Sequence, residues 1–294
     1  MWPSISRYLP WNLSHRGHSK LLSKSLEVLS KIMASNVHQT AKDGFKQGDH
    51  YDKSRPSYTD DLVSLVQKNI HYGKSEGISC DILELGAGTG KFTSKILPLL
   101  PQGTRYLATE PSEDFLSVLK DKFNNIDTKV CTATDIPLKD NSVQNVICAQ
   151  CFHWFANMES LTEIHRVLAP RGRLLLVWND KDVNIEWLSR MEDILTLYYG
   201  DTPRKNSGNW KNVFDGNDMF RCVEHTVQPG IHLKGNKDFV LNHYTSISVI
   251  AKLQGEERQG ALSKFRDVLN DNFKNEEENI IIQFVSEFYC TEKV

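Results

Sequence analysis

Long apolar runs, a strong net charge, repeated cysteine pairs and phosphate-loop glycine patterns are all missing from this 294-residue chain. No apolar run approaches the roughly 18 residues of a membrane-spanning helix, so no membrane partner is expected. A formal charge of -2 creates no global field to recruit nucleic acid or an anionic surface, and neither is expected as a partner. No repeat of fixed period is present, which excludes solenoids and propellers. The six cysteines (Cys80, Cys131, Cys148, Cys151, Cys222 and Cys290) include one C-x-x-C, Cys148–Cys151. A zinc site would need a second pair or spaced histidines, so no metal is expected. The thiols read as reduced and structural, with a redox or metal use of the C-x-x-C as the other reading. Acidic residues are absent from 1–26, where Arg7, Arg16, Lys20 and Lys24 stand among serines. Residues 19–33, "SKLLSKSLEVLSKIM", have the pattern of a basic amphipathic helix. Residues 1–35 read either as a disordered basic extension, upstream of a start at Met33, or as a mitochondrial targeting segment. The expected location is cytoplasmic on the first reading and mitochondrial on the second.

What is present suits a globular enzyme-sized domain. Hydrophobic residues make up 39% and aromatics 10%, enough for a sizeable core. A polar, aromatic segment opens the region 36–75, and "DDLVSLVQKNI" then sets Leu62, Val63, Val66 and Ile70 at helical spacing. From there strands and helices alternate. "CDILELG" is a buried strand and "KFTSKILPLL" a helix; "RYLATEP" is a strand and "SEDFLSVLKDKFNN" a helix capped by Ser112. "DTKVCTATD" and "SVQNVICAQ" are the third and fourth strands, "MESLTEIHRVLAP" a helix and "GRLLLVWND" the fifth strand. Such alternation implies parallel strands with crossover helices. Beyond Asp180 come a helix and a long loop over 181–217, then a strand at "RCVEHTVQPGIHL". Two helices, "KDFVLNHYTSISVIAKL" and "ERQGALSKFRDVLNDNF", precede a last strand, "NIIIQFVSEFYCT". The last two strands are expected to pair antiparallel at the sheet edge.

The stretch "DILELGAGTGKFT" carries glycines at 86, 88 and 90 after an apolar strand. In an open parallel sheet, ligands bind at the carboxyl ends of the strands. Glycine there allows unusual backbone angles and close approach of a ligand to the main chain. A dinucleotide fingerprint would need its third glycine at position 91, which is Lys91, and a P-loop would need Ser or Thr where Phe92 stands. The loop is therefore cut for a ligand without a pyrophosphate. Glu110 ends the second strand, where a carboxylate either accepts two hydrogen bonds from a ribose diol or caps the next helix.

"ILELGAGTG", "ATEPS" and "HRVLAPRGRLLLVW" together resemble the successive motifs of class I S-adenosylmethionine-dependent methyltransferases. The likeness spans about residues 45–180. "YDKSRPSYTDDL" and "CAQCFHWF" are similar to segments of the methyltransferase type 11 group that includes the fungal trans-aconitate methyltransferases. The resemblance implies a Rossmann-like α/β fold: a mostly parallel seven-stranded sheet with helices on both faces and an antiparallel edge strand. Within 36–294 it implies a cofactor-binding core at 76–180 and substrate-side additions and edge strands at 181–294.

The resemblance also implies roles. S-adenosyl-L-methionine is the implied cofactor. Glu84, Gly86, Ala87, Gly88 and Gly90 would surround its methionine part, and Glu110 with Pro111 its ribose. Thr132, Ala133, Thr134 and Asp135 would sit beside the adenine, although threonines stand where relatives often carry an acid. Gln150 either lines the pocket or simply ends strand four. His153 is a candidate base or substrate-orienting group, and Trp154 either stabilises a sulfonium or packs under the next helix. Tyr51, Arg55 and Tyr58 either close over the site, Arg55 being suited to a carboxylate, or form a surface clamp with Arg55 paired to an acid of the protein. Trp178, Asn179 and Trp187 are placed where an acceptor substrate could rest; Trp210, His243 and Tyr244 read either as a roof or as ordinary core. The partner implied is a small-molecule methyl acceptor, a carboxylic acid among the possibilities, and the assembly a monomer or weak homodimer.

Overall fold

The structure is a computed structural model, and it describes residues 56–72, 76–276 and 278–294. All of them belong to one compact unit, Val37–Val294. Tyr51, Arg55 and the basic segment 1–35 lie outside the described residues.

Seven strands form one sheet: β1 (Cys80–Leu85), β2 (Tyr106–Thr109), β3 (Asp127–Lys129), β4 (Val143–Ala149), β5 (Leu168–Lys181), β6 (Phe220–Gly235) and β7 (Ile280–Lys293), in the order β3-β2-β1-β4-β5-β7-β6. The first five run parallel, and β7 lies antiparallel between β5 and β6. The expected antiparallel pairing of the last two strands is present. The edge is β6, whose single neighbour β7 runs antiparallel to it. Strand order turns around at β1, with β2 on one side and β4 on the other, and this is the switch point where ligands of such sheets bind.

Local chemistry explains the helices. α1 (Asp60–Asn69) starts at Thr59, whose hydroxyl accepts from Leu62 N at 3.3 Å, and it buries Leu62, Val63 and Val66. α2 is only Thr93–Ile96, followed by a 3₁₀ turn at Leu97–Leu99. The longer helix expected there tightens into this turn at Pro98, which has no N–H to continue the α-helical ladder, while Leu97 itself keeps helical angles. α3 (Glu113–Lys122) is capped by Ser112 as expected, with acids in its first turn and lysines in its last. α4 (Met158–Val167) is capped by Asn157. α5 (Glu186–Tyr199), α6 (Lys237–Thr245), α7 (Ser248–Ala251) and α8 (Gly255–Asn272) complete the set, so one expected helix is broken between Thr245 and Ser248.

The strand expected over 127–135 is three residues long. Its partner β2 ends at Thr109, opposite Lys129, and the ladder stops where the partner does. Residues 132–135 turn instead, with Asp135 N donating to Thr132 O at 3.3 Å. The loop between α1 and β1 is tied to the sheet by fully buried Asn145. Its Oδ1 accepts from His71 N at 2.8 Å, and its Nδ2 donates to His71 O and Asp81 O.

Candidate functional site

The glycine loop after β1 folds back over the tip of β2. Ala87 N donates to Thr109 O at 2.9 Å, Gly88 N to Glu110 Oε2 at 3.0 Å, and Thr109 Oγ1 to Glu84 O at 3.1 Å. All three glycines have positive φ: 65° at Gly86, 58° at Gly88 and 81° at Gly90. Their surroundings differ. A Cβ on Gly86 would meet Cys151 Cβ and Sγ at 2.9 Å, and one on Gly90 would meet Phe123 at 2.7 Å. At Gly88 the nearest atom would be Phe115 Cδ2 at 3.9 Å, an ordinary contact. Packing inside the protein thus demands two of the glycines and leaves Gly88 facing room.

Two buried acids stand under this loop. Glu110 accepts from Gly88 N through Oε2 and from Ser112 N through Oε1 at 3.1 Å, so it braces loop and helix start together. Burial pushes its carboxyl up to about 7, against the lowering pull of those two N–H groups. Glu84 Oε2 accepts from Thr93 Oγ1 and Tyr106 OH, each at 2.6 Å. Burial drives this carboxyl up to about 7 as well, Thr93 and Tyr106 opposing and Glu110 adding to the rise. Glu84 joins β1 to α2 and β2 rather than pointing to solvent; it is 1% exposed. The four-residue α2 contributes little dipole, so these backbone and carboxylate groups, and not a long helix end, set the electrostatics of the loop.

Along the rim, Thr132 and Thr134 share a hydroxyl–hydroxyl bond of 3.0 Å, Ala133 is buried and Asp135 is exposed. This turn is held from behind by α4. Arg166 donates to Ile136 O at 3.0 Å and Leu138 O at 2.9 Å, and Glu163 accepts from Ile136 N at 2.8 Å. Pro111 lies half-buried beside Glu110.

Gln150 follows β4 at φ 62°, a left-handed conformation that costs a non-glycine residue about 1–3 kcal/mol. The strain is held by two bonds of 2.8 Å, Gln150 N to Val177 O and Gln150 Nε2 to Asn179 O. Asn179 continues the chain of contacts: its Nδ2 donates to Ser57 O at 2.9 Å and its Oδ1 accepts from Ser286 Oγ at 2.7 Å. Tyr58 follows Ser57 and is buried edge-on against Phe92 at 5.1 Å. Ser57 and Tyr58, just before α1, are thereby tied to Asn179 of β5 and to Phe92 after the glycine loop.

Next to Gln150, Cys151 Sγ donates to Leu85 O at 3.0 Å and presses on Gly86. All six thiols are free, and burial holds that of Cys151 far above its ordinary value, in keeping with a structural thiol. The 3₁₀ turn Phe152–Trp154 follows. His153 Nδ1 accepts from Trp178 Nε1 at 3.2 Å, and the rings of His153 and Trp154 lie 5.3 Å apart. Burial, with Lys205 adding, lowers His153 to about 3, so the ring is neutral at physiological pH.

Several expected site residues sit elsewhere. Trp178 does not line an open acceptor surface: it is fully buried against Trp210 at 4.6 Å, because it shares the core-facing side of β5 with Leu174 and Leu176. Trp178 and Asn179 lie inside β5, which runs on to Lys181. Trp187 and Tyr244 pack in a second core among α5, α6 and α8, and buried His243 stands edge-on to Tyr244 and Phe284, so these residues are core. Trp210 belongs with Trp178 and Phe152 in the main core. Sequence reasoning missed Lys205, the packing role of Cys151, and Ser286 and Ser57. No local pattern marks them, since their partners are far away along the chain. Among the described residues, no cluster of ligating side chains could hold a metal ion, and no helix is long and apolar enough to cross a membrane.

Residues 83–176 match a family described as a methyltransferase domain. An uncharacterised methyltransferase-like protein of Schizosaccharomyces pombe is 41% identical over 56% of this chain and 62% of its own length. An uncharacterised methyltransferase of Mycobacterium bovis is 34% identical over 49% of this chain and 55% of its own length. The chain thus spans little more than half the length of these curated relatives. Among solved structures, a protein described as a type II methyltransferase from Anaeromyxobacter dehalogenans is similar in fold. Its TM-score is 0.55 at 19% identity, covering 81% of this chain and 96% of that one. The YcgJ protein of Bacillus subtilis is similar with a TM-score of 0.52 at 15% identity, over 80% and 99% of the two chains.

Proposed function

We propose, from the premise that residues 83–176 carry a methyltransferase domain of the type 11 family, that this protein is an S-adenosylmethionine-dependent methyltransferase acting on a small molecule. One observation carries the reading: Gly88, the loop glycine that packing does not demand, donates its N–H to buried Glu110 at the tip of β2. Bare main chain and a carboxylate acceptor stand side by side there, which suits an amino-acid tail joined to a ribose.

The residues fit that cofactor. Each carboxylate oxygen has two lone pairs, so Glu110 can accept from ribose hydroxyls while keeping Gly88 and Ser112. Gly86, Ala87, Gly88 and Gly90 would border the amino-acid part, and the turn 132–135 the base. When bound, the cofactor supplies an electrophilic methyl group for in-line transfer. The chain's share is to hold the acceptor on the methyl axis and to exclude water, and positioning of that kind contributes roughly 7–11 kcal/mol. Trp154 would offer an aromatic face to the cofactor's sulfonium. We place a carboxylic acid first among acceptor classes: a carboxylate is ionised at neutral pH and asks no base of the protein. Nucleic acid and membrane stand outside the reading, in line with the charge of -2.

Calorimetry with S-adenosylhomocysteine on the whole chain tests this. Binding is expected, with NAD giving no heat. Glu110 sits near 7 in the free protein, and the ribose calls for its ionised form. The association constant should therefore fall about tenfold for each pH unit below 7, and Glu110→Gln should bind weakly at every pH without that slope. Absence of heat with folded wild-type protein would overturn the assignment; binding without turnover of any acceptor would leave a cofactor-binding module.

A further inference from the structure

His153 meets Trp178 through an atom pair that permits one arrangement. An indole N–H donates and never accepts, so His153 Nδ1 must offer a lone pair to it across 3.2 Å. A neutral imidazole with Nδ1 unprotonated carries its proton on Nε2. Trp178 cannot turn away, being fully buried, 4.6 Å from the Trp210 ring and edge-on to Tyr289. We propose that Trp178 is a positioning residue that locks His153 as a neutral Nε2–H hydrogen-bond donor toward the methyl acceptor, and so removes it from service as a general base.

The surroundings favour the same state. On the turn Lys205–Ser207, the charge of Lys205 lies near enough to disfavour a proton on His153. That cation is paired with two carboxylates, Asp180 of β5 at 2.6 Å and Glu287 of β7. Glu287 also accepts from Tyr289 OH at 2.5 Å and meets His225 of β6 at 2.8 Å. Burial lifts the Glu287 carboxyl, but Lys205, Tyr289 and His225 outweigh it and hold it at about 2, so the group stays anionic and stays with Lys205. A proton on Nδ1 would set two donors face to face, beside a lysine.

The other edge of the ring is not fully sealed. Among the described residues Nε2 has no hydrogen-bond partner, and it is not one of the sealed, unpartnered polar atoms. His153 stands two residues after Cys151, which touches the glycine loop at Gly86. An acceptor atom brought to Nε2 is thus hydrogen-bonded and oriented, and keeps whatever protonation state it arrived with. This rests on the methyltransferase reading for the identity of what is oriented, while the state of the ring can be read without any ligand.

The test is ¹⁵N-resolved NMR of the histidine rings in the whole chain from pH 8 to pH 5, with His153→Asn assigning the signal among the ten histidines. The expected spectrum is one Nε2–H tautomer that does not titrate over the range. Lys205→Met should leave the tautomer unchanged, and Trp178→Phe, if it folds, should give mixed tautomers and a midpoint moved upward by at least one pH unit. An Nδ1–H tautomer, or wild-type titration near 6.5, overturns the proposal, whether or not Trp178→Phe folds. S-adenosylhomocysteine calorimetry judges the methyltransferase reading separately. Should an acceptor be turned over, His153→Asn is expected to raise KM more than it lowers kcat and to leave the pH profile flat. A hundredfold loss of kcat that follows ionisation of His153 would restore the base and overturn the lock.

Discussion

Adding one methyl group to each loop glycine separates their duties. Gly88→Ala places a Cβ in ordinary contact with Phe115 and costs only the strain of φ 58°, roughly 1–3 kcal/mol. Gly90→Ala adds a 2.7 Å clash with Phe123 to comparable strain, and such overpacking costs roughly a further 1–3 kcal/mol. Thermal melts should rank Gly90→Ala well below Gly88→Ala, while calorimetry should find that Gly88→Ala alone loses S-adenosylhomocysteine affinity out of proportion to its stability. Wild-type affinity in Gly88→Ala would mean that nothing approaches this backbone. Glycine spacing was readable in the sequence, but not the division of labour. That depends on Cys151 and Phe123, which reach the loop from separate elements.

Among elements, the turn after β3 depends most on a neighbour. It has no ladder of its own, because β2 ends at Thr109, and α4 holds it through Arg166 and Glu163. Arg166 is partly exposed, so its ion pairs with Glu163 and Asp140 are screened, and its bonds to Ile136 O and Leu138 O matter more. Arg166→Ala should lower global stability by about 1–2 kcal/mol and speed amide exchange over residues 132–138. It should also weaken S-adenosylhomocysteine binding severalfold while the glycine loop stays protected. Unchanged exchange in that turn after Arg166→Ala would show that it stands without α4. The capped helices α1, α3 and α4 were legible from their sequence because caps and apolar spacing are local. The extent of β3 and α2 was not, being fixed by the length of β2 and by Pro98.

At the scale of the whole molecule, stability depends on pH in a direction that the two buried acids set. Glu84 and Glu110 have folded values near 7, above their ordinary 4.5, chiefly from burial. Their contribution is therefore complete below about 4.5 and is lost as pH rises through 7. Glu84→Gln, which keeps an oxygen for Thr93 and Tyr106, should melt higher than wild type at pH 8, by up to roughly 3 kcal/mol in stability, and near wild type at pH 5. Equal melting at pH 8 would mean that Glu84 is ionised without penalty.

Alternation of apolar strands with capped helices was enough for a parallel α/β sheet, and the glycine loop with the acid at the end of "RYLATEP" marked its first corner as the place to look for a ligand. These are contacts between residues near in sequence, where periodicity and side-chain chemistry act directly. Tertiary structure alone decided that β7 runs back between β5 and β6, and that Trp178 is core and holds His153. It alone decided that Asn179 joins Ser57 to Ser286 and that Lys205 occupies two carboxylates. Each of those is settled by which faces the folded sheet brings together across long stretches of chain, and one-dimensional spacing carries no record of that.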